Sequence, residues 1–108
     1  RAIRGLRPGN PQDLALAQAV CRAEYFVSGF RNADLQPHLY SKAPCDSSEA
    51  RARSARVTRL IRMLRAHGLV KKLGNSHRYV LTESGVTILT AIVTTQTLPI
   101  QKLSQVAA

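Results

Sequence analysis

Apolar residues recur along this chain in two rhythms, helical spacing up to Gly68 and alternation just after it. From Pro11 onward, Leu14, Leu16, Ala17, Val20, Cys21, Ala23 and Phe26 predict a helix over about 11–26. Asn10 is its expected cap, and Pro11 takes the first position, where a missing N–H costs nothing. Ser28-Gly29 stops this helix, and Phe30 follows as a lone buried aromatic, read as a very short strand. Asn32 is the expected cap of a second helix over about 33–39, with Asp34 in its first turn. Pro37 limits that helix to one or two turns. The segment 41–48 reads as a loop whose closing serines cap the next helix.

The third helix, about 49–67, has the clearest pattern. At 100° per residue Val57, Leu60, Ile61 and Leu64 form a stripe roughly 100° wide, as a core-facing helix requires. Arg51, Arg59, Arg62 and Arg65 fall on the opposite side, Arg56 on the flank, and Arg53 near the apolar side. Gly68 supplies a left-handed stop. Beyond it, 69–73 and 77–81 predict two short strands about the turn Gly74-Asn75-Ser76. Thr82 then caps a fourth helix, although the β-branched run from Val86 to Val93 has strand propensity too. Residues 100–106, after Pro99, predict a short terminal helix. The expected fold is mainly α with a small β-hairpin (α+β). It divides into a basic lead or linker at 1–10, one domain at 11–98, and a tail or short helix at 99–108.

Charge changes this picture most. The chain has 108 residues, room for a single core, and a formal net charge of +10. Between Glu49 and Glu83 there is no acidic residue, yet nine of the sixteen Lys and Arg lie there. A merely solvated helix would alternate Glu with Arg to form i,i+4 pairs. Here the balancing negative charge is expected from a partner, and phosphate is the commonest such group. Arg51, Arg56, Arg59 and Arg62 on the third helix are the candidate contacts, able to meet phosphates or guanine O6 and N7. Lys71, Lys72, Asn75, His77 and Arg78 on the hairpin could reach a nucleic-acid backbone or minor groove. For each arginine the competing reading is an exposed, solubilising side chain. Arg65 is assigned to the helix dipole and Tyr79 to the core.

Other chemistry finds little support. No pair among the six carboxylates Asp13, Glu24, Asp34, Asp46, Glu49 and Glu83 stands in a recognisable catalytic motif, and no Gly-rich phosphate loop is present. His38, His67 and His77 lack metal-ligand spacing, and Cys21 and Cys45 are too few for a disulfide framework. Cys21 reads as a small buried thiol and Cys45 as an exposed loop residue. No enzyme activity, cofactor, metal or small-molecule ligand is expected. No apolar run approaches the roughly 18 to 20 residues of a membrane span, and the opening residues lack the apolar region of a signal peptide. A reducing, cytoplasmic setting is the default expectation.

The passages from Arg59 to Lys72 (leucines, then His-Gly-Leu-Val and a basic pair) and from Ser76 to Gly85 (with Arg-Tyr-x-Leu-Thr-x-x-Gly) carry a family likeness. Together with Gly29 to Leu35, they resemble a bacterial winged helix-turn-helix domain over about residues 29–85. The long 41–48 loop and Pro37 depart from the simplest form of that motif. The resemblance implies that the third helix enters the major groove of double-stranded DNA, in a transcriptional regulator or in the DNA-binding part of a larger protein. Winged-helix folds also mediate protein assembly, so an interaction module is the alternative. RNA is a third reading, disfavoured for single strands by the scarcity of aromatic residues. The apolar residues Val86, Ile88, Leu89, Ile92, Val93 and Leu98 offer either a homodimer contact through 86–106 or packing on the first helix.

Overall fold

The computed structural model describes residues 4–7, 9–74 and 76–107, the stretch 96–107 through its backbone alone. In chain order the elements are α1 (Pro11–Val20), α2 (Glu24–Ser28), α3 (Asn32–Leu39), α4 (Ser47–Ala66), β1 (Val70–Lys72), β2 (Tyr79–Leu81) and α5 (Glu83–Ala107). The domain is mostly helical with one small antiparallel sheet, and no described helix is long and apolar enough to cross a membrane.

α1 begins as its sequence dictates: the Asn10 side chain accepts the N–H of Gln12 at 2.9 Å and of Asp13 at 3.2 Å. Its buried face presents Leu16, Ala17 and Val20. The helix does not run on to residue 26. It ends at Val20 in a tight turn through Cys21, and α2 restarts at Glu24. The periodicity from Leu14 to Phe26 had merged two helices whose apolar sides point in different directions. The break lets the Tyr25 ring stand 5.9 Å from that of Phe30, and it leaves Phe26 exposed rather than in the core. Cys21 is half-buried against the core, and burial raises its thiol pKa. Cys45 is exposed.

Gly29 has φ 76°, and a Cβ there would stand 2.6 Å from the Tyr79 carbonyl oxygen. Only glycine satisfies both demands. That turn lays Phe30 beside β2, where its N–H donates to the Tyr79 carbonyl at 2.7 Å and its carbonyl accepts from the Tyr79 N–H at 2.8 Å. The lone strand residue expected at Phe30 is this single-residue bridge.

α3 is capped one residue earlier than expected. The Arg31 N–H donates to the Asp34 carboxylate at 2.8 Å, which frees Asn32 for contacts with α4. The cap of α4 is likewise earlier than its serines: Asp46 accepts the Glu49 N–H at 2.8 Å. Val57, Leu60, Ile61 and Leu64 turn inward as the stripe predicted, joined by Met63, and Arg59 and Arg62 stay exposed. Gly68 closes the helix at φ 73°. The hairpin pairs Val70 with Leu81, Lys71 with Val80 and Lys72 with Tyr79.

Thr82 joins hairpin to helix. Its Oγ1 accepts the Gly85 N–H at 2.9 Å and donates to the Gly68 carbonyl at 2.6 Å. Gly85 itself lies so close to β1 that a Cβ would fall 1.8 Å from the Leu69 carbonyl oxygen. α5 then runs unbroken to Ala107, so residues 100–106 are no separate helix. An interior proline removes one backbone bond and bends a helix, but it need not end it. Leu89 is buried, and Ile92 and Val93 are half-buried against the same core, with α5 packed on α1. Val86 and Ile88 remain exposed, and the Leu98 side chain lies outside the described residues.

One buried charge organises the start of the chain. Asp13 is 1% exposed and accepts both guanidinium nitrogens of Arg4, at 2.7 and 2.8 Å, together with the Arg7 N–H at 2.9 Å. The Arg4 carbonyl in turn lies 2.9 Å from Nε2 of His67, at the far end of α4.

Truncating Leu64 to Ala should cost about 2 to 5 kcal/mol of unfolding free energy, whereas Arg62→Ala should stay within about 0.5 kcal/mol. Urea denaturation measures both. The hydrogen bond from Arg4 holds the Asp13 carboxyl below its usual range. Its stabilising contribution is therefore complete above the unfolded carboxylate pKa, near 3.9, and is lost as pH falls through the lower folded value. Denaturation midpoints of wild type and Asp13→Asn should accordingly differ most at neutral pH and converge in strong acid.

Candidate functional site

Five of the six arginines of α4 divide into three groups, and the core stripe decides which is which. Arg51, Arg59 and Arg62 lie on the exposed side and line one shallow depression with Ser54, Ala55 and Thr58. Arg56 sits around the helix on the other flank, bordering a different depression with Tyr40, Glu49, Ala52 and Arg53. It is exposed, but it does not share a surface with the first three. Arg53 is committed to structure. It pairs with Glu49, donates to the Lys42 carbonyl at 2.6 Å, and its guanidinium lies 4.5 Å from the centre of the Tyr40 ring. Its position near the apolar side of the helix is thus used to pin the 41–48 loop.

On the hairpin, Lys71 and Lys72 are both exposed, but adjacent strand residues point to opposite faces. They cannot both meet the same surface. His77 is exposed and faces α4 across a cleft, while Arg78 is half-buried with one guanidinium nitrogen 3.5 Å from the Ser28 carbonyl, a weak contact. Asn75 lies outside the described residues. Tyr79 is half-buried, its ring centre 6.2 Å from that of Phe30.

The cleft beside His77 has a volume of about 490 Å³ and lies between the start of α3, the middle of α4 and the hairpin. Arg31, Arg62 and Arg65 border it, and no carboxylate does. Arg31 carries no signal in the sequence, and Arg65, assigned there to the helix dipole, borders the cleft instead. Arg65 follows Arg62 by three residues on the same helical strip, which was a legible sign; Arg31 comes near only through the α3–α4 packing. The wall is held by Asn32, whose amide nitrogen donates to the Ser54 carbonyl at 2.8 Å and to Thr58 Oγ1 at 2.9 Å.

Among the described residues the ion pairs are Arg4–Asp13, Arg22–Glu24 and Arg53–Glu49. Arg51, Arg56, Arg59, Arg62, Arg65, Lys71, Lys72 and Arg78 belong to none of them. The site therefore presents a continuous cationic surface from Arg51 to the cleft, without internal compensation. Such a surface attracts and holds a polyanion.

Replacing Arg53 with Ala should lower the thermal midpoint by a few degrees, since it removes an ion pair and a cation–π contact together worth about 1 kcal/mol. Arg59→Ala should leave the midpoint within about one degree, both read by circular dichroism melts. Comparison with protein-family models, curated proteins and solved structures finds no match to this chain.

Proposed function

We propose that this chain is a winged helix-turn-helix domain that binds double-stranded DNA, with α3 and α4 as the helix-turn-helix and β1–β2 as the wing. It serves as a transcriptional regulator or as the DNA-binding part of a larger protein, in a cytoplasmic setting, and itself performs no catalysis. The order of elements supports this reading, as does the packing of α3 on α4 and of β1 against the end of α4. The observation that carries it is the exposed, unpaired basic side of α4, with Arg51, Arg59 and Arg62 on one surface. An α-helix about 10 to 12 Å across fits a major groove about 12 Å wide, and arginine there reads guanine bidentately or neutralises phosphate. Lys72 on the wing serves as a backbone contact in the same reading, while Arg56, on the flank, and Lys71, on the other face of the strand, lie off that surface.

A homodimer through residues 86–106 belongs to this proposal, because a palindromic site needs a two-fold partner. Leu89, Ile92 and Val93 are engaged in the chain's own core, so the contact falls to Val86, Ile88 and the rest of α5 beyond Val93. Light scattering at micromolar concentration should give twice the monomer mass. A monomer would remove the dimer but leave duplex binding standing.

Affinity for duplex DNA should fall steeply with salt. Four to seven phosphate contacts give a log–log slope of roughly −4 to −6. Lys72→Ala should lower that slope by about one and weaken all sequences alike, whereas Arg59→Ala or Arg62→Ala should cost about 1 to 3 kcal/mol on a cognate site if it reads a base. Anisotropy titrations across salt concentrations measure each quantity. A shallow slope, or variants that bind as wild type does, would favour a protein-interaction module instead.

A further inference from the structure

We infer that the cleft between α3, α4 and the hairpin is a seat for one phosphate group, presented by the backbone of the bound duplex, with Thr58 as its hydroxyl donor and Arg31, Arg62 and Arg65 as its charges. This inference rests on the DNA-binding reading and goes beyond it by fixing where a strand of the duplex crosses the protein.

A threonine inside a helix can turn its O–H back onto the carbonyl three or four residues earlier, here that of Ala55 or Ser54. The Ser54 carbonyl has two lone pairs. The helix ladder takes one through the Thr58 N–H, and the Asn32 amide takes the other at 2.8 Å. The same Asn32 nitrogen donates to Thr58 Oγ1 at 2.9 Å, so the oxygen already serves as acceptor. The orientation of the Asn32 amide is fixed from behind, because Gln36 Nε2 donates to its Oδ1 at 2.6 Å. The Gln36–Asn32 relay thus occupies the Ser54 carbonyl, and Thr58 Oγ1 makes no bond as donor to the Ala55 carbonyl either, so its proton is available to a ligand in the cleft. Thr58 is exposed and borders the cleft.

What the proton meets there is set by charge. Thr58, Arg62 and Arg65 follow one another at steps of four and three along α4, which places them on one strip. Arg31 stands across from them at the start of α3, and His77 closes the hairpin side. Three guanidinium groups and a hydroxyl donor, with no carboxylate in the wall, suit a tetrahedral oxyanion better than a neutral ligand. Arg62 also borders the outer depression with Arg51 and Arg59. A duplex lying along that side of α4 therefore brings its sugar–phosphate backbone to the cleft mouth.

The test uses anisotropy titrations of wild type, Arg31→Ala, Arg65→Ala, Thr58→Val and Arg59→Ala on one duplex across salt concentrations, with circular dichroism confirming that each variant is folded. Arg31→Ala and Arg65→Ala should each lower the salt slope by about one and weaken unrelated duplexes equally. Thr58→Val, which keeps the shape and removes the donor, should weaken binding roughly two- to tenfold at unchanged slope. If wild type binds steeply and Arg59→Ala weakens it, while the Arg31, Arg65 and Thr58 variants bind as wild type does, the seat is wrong and the DNA reading stands. If wild type binds no duplex, the DNA reading falls and a second arm decides the seat. Millimolar inorganic phosphate should then shift the amide NMR signals of Thr58, Arg62 and His77 in wild type but not in the Arg31→Ala/Arg65→Ala double variant. Such shifts would keep the phosphate chemistry with a free ion as its source, and their absence would overturn it.

Discussion

With Val57, Leu60, Ile61 and Leu64 turned into the core, α4 has no freedom to rotate about its axis. Rotation by half the width of that stripe would withdraw one of these side chains and press a guanidinium into its place, which is costly without a partner. The outward direction of Arg51, Arg59 and Arg62 is therefore a consequence of hydrophobic burial and needs no contact of their own. The same constraint positions the neighbours. α3 lies on one side of α4, tied through Asn32, and β1 leaves its C-terminal end through Gly68. The cleft is the gap that this packing leaves between them.

The six carboxylates are distributed to suit this arrangement. Asp34 and Asp46 accept N–H groups at the starts of α3 and α4, and Glu83 sits in the first turn of α5. Asp13, Glu24 and Glu49 pair with Arg4, Arg22 and Arg53. Each carboxylate has a local structural task, and none is left to neutralise the outer side of α4. Like charges three residues apart, as in Arg59, Arg62 and Arg65, repel one another by a few tenths of a kcal/mol per pair. The fold tolerates that repulsion because Leu60 and Leu64 hold the helix in place, and a bound polyanion would relieve it.

Much of this was legible in the sequence, for identifiable reasons. The α4 stripe, the Gly68 stop, the hairpin and the Thr82 cap all arise from local chemistry, so they could be read within a few residues. The joint at Cys21 could not, since its accompanying contact, Tyr25 on Phe30, is made only in three dimensions. The continuation of α5 through Pro99 also ran against the local signal. At the candidate site, sequence picked out Arg51, Arg59 and Arg62 by their spacing and set Arg56 on the flank, where it borders a separate depression. Arg31 and the Asn32–Thr58 link were hidden because they join residues more than twenty positions apart.

The pairing of Phe30 with Tyr79 bears on the order in which the molecule assembles. The hairpin strands contribute three residues each, too few to be stable alone in water. Their anchor, Phe30, lies roughly fifty residues upstream, and closing so long a loop has a substantial entropic cost before any contact repays it. The α3–α4 contact closes at short sequence separation, whereas the Phe30–Tyr79 bridge and the packing of α1 on α5 close long loops. Short strands anchored by one long-range bridge belong to the low-stability end of a domain, where local opening costs least. In the proposed DNA-binding reading, a duplex that grips both α4 and the hairpin would hold that edge closed, so binding and local order would be coupled there.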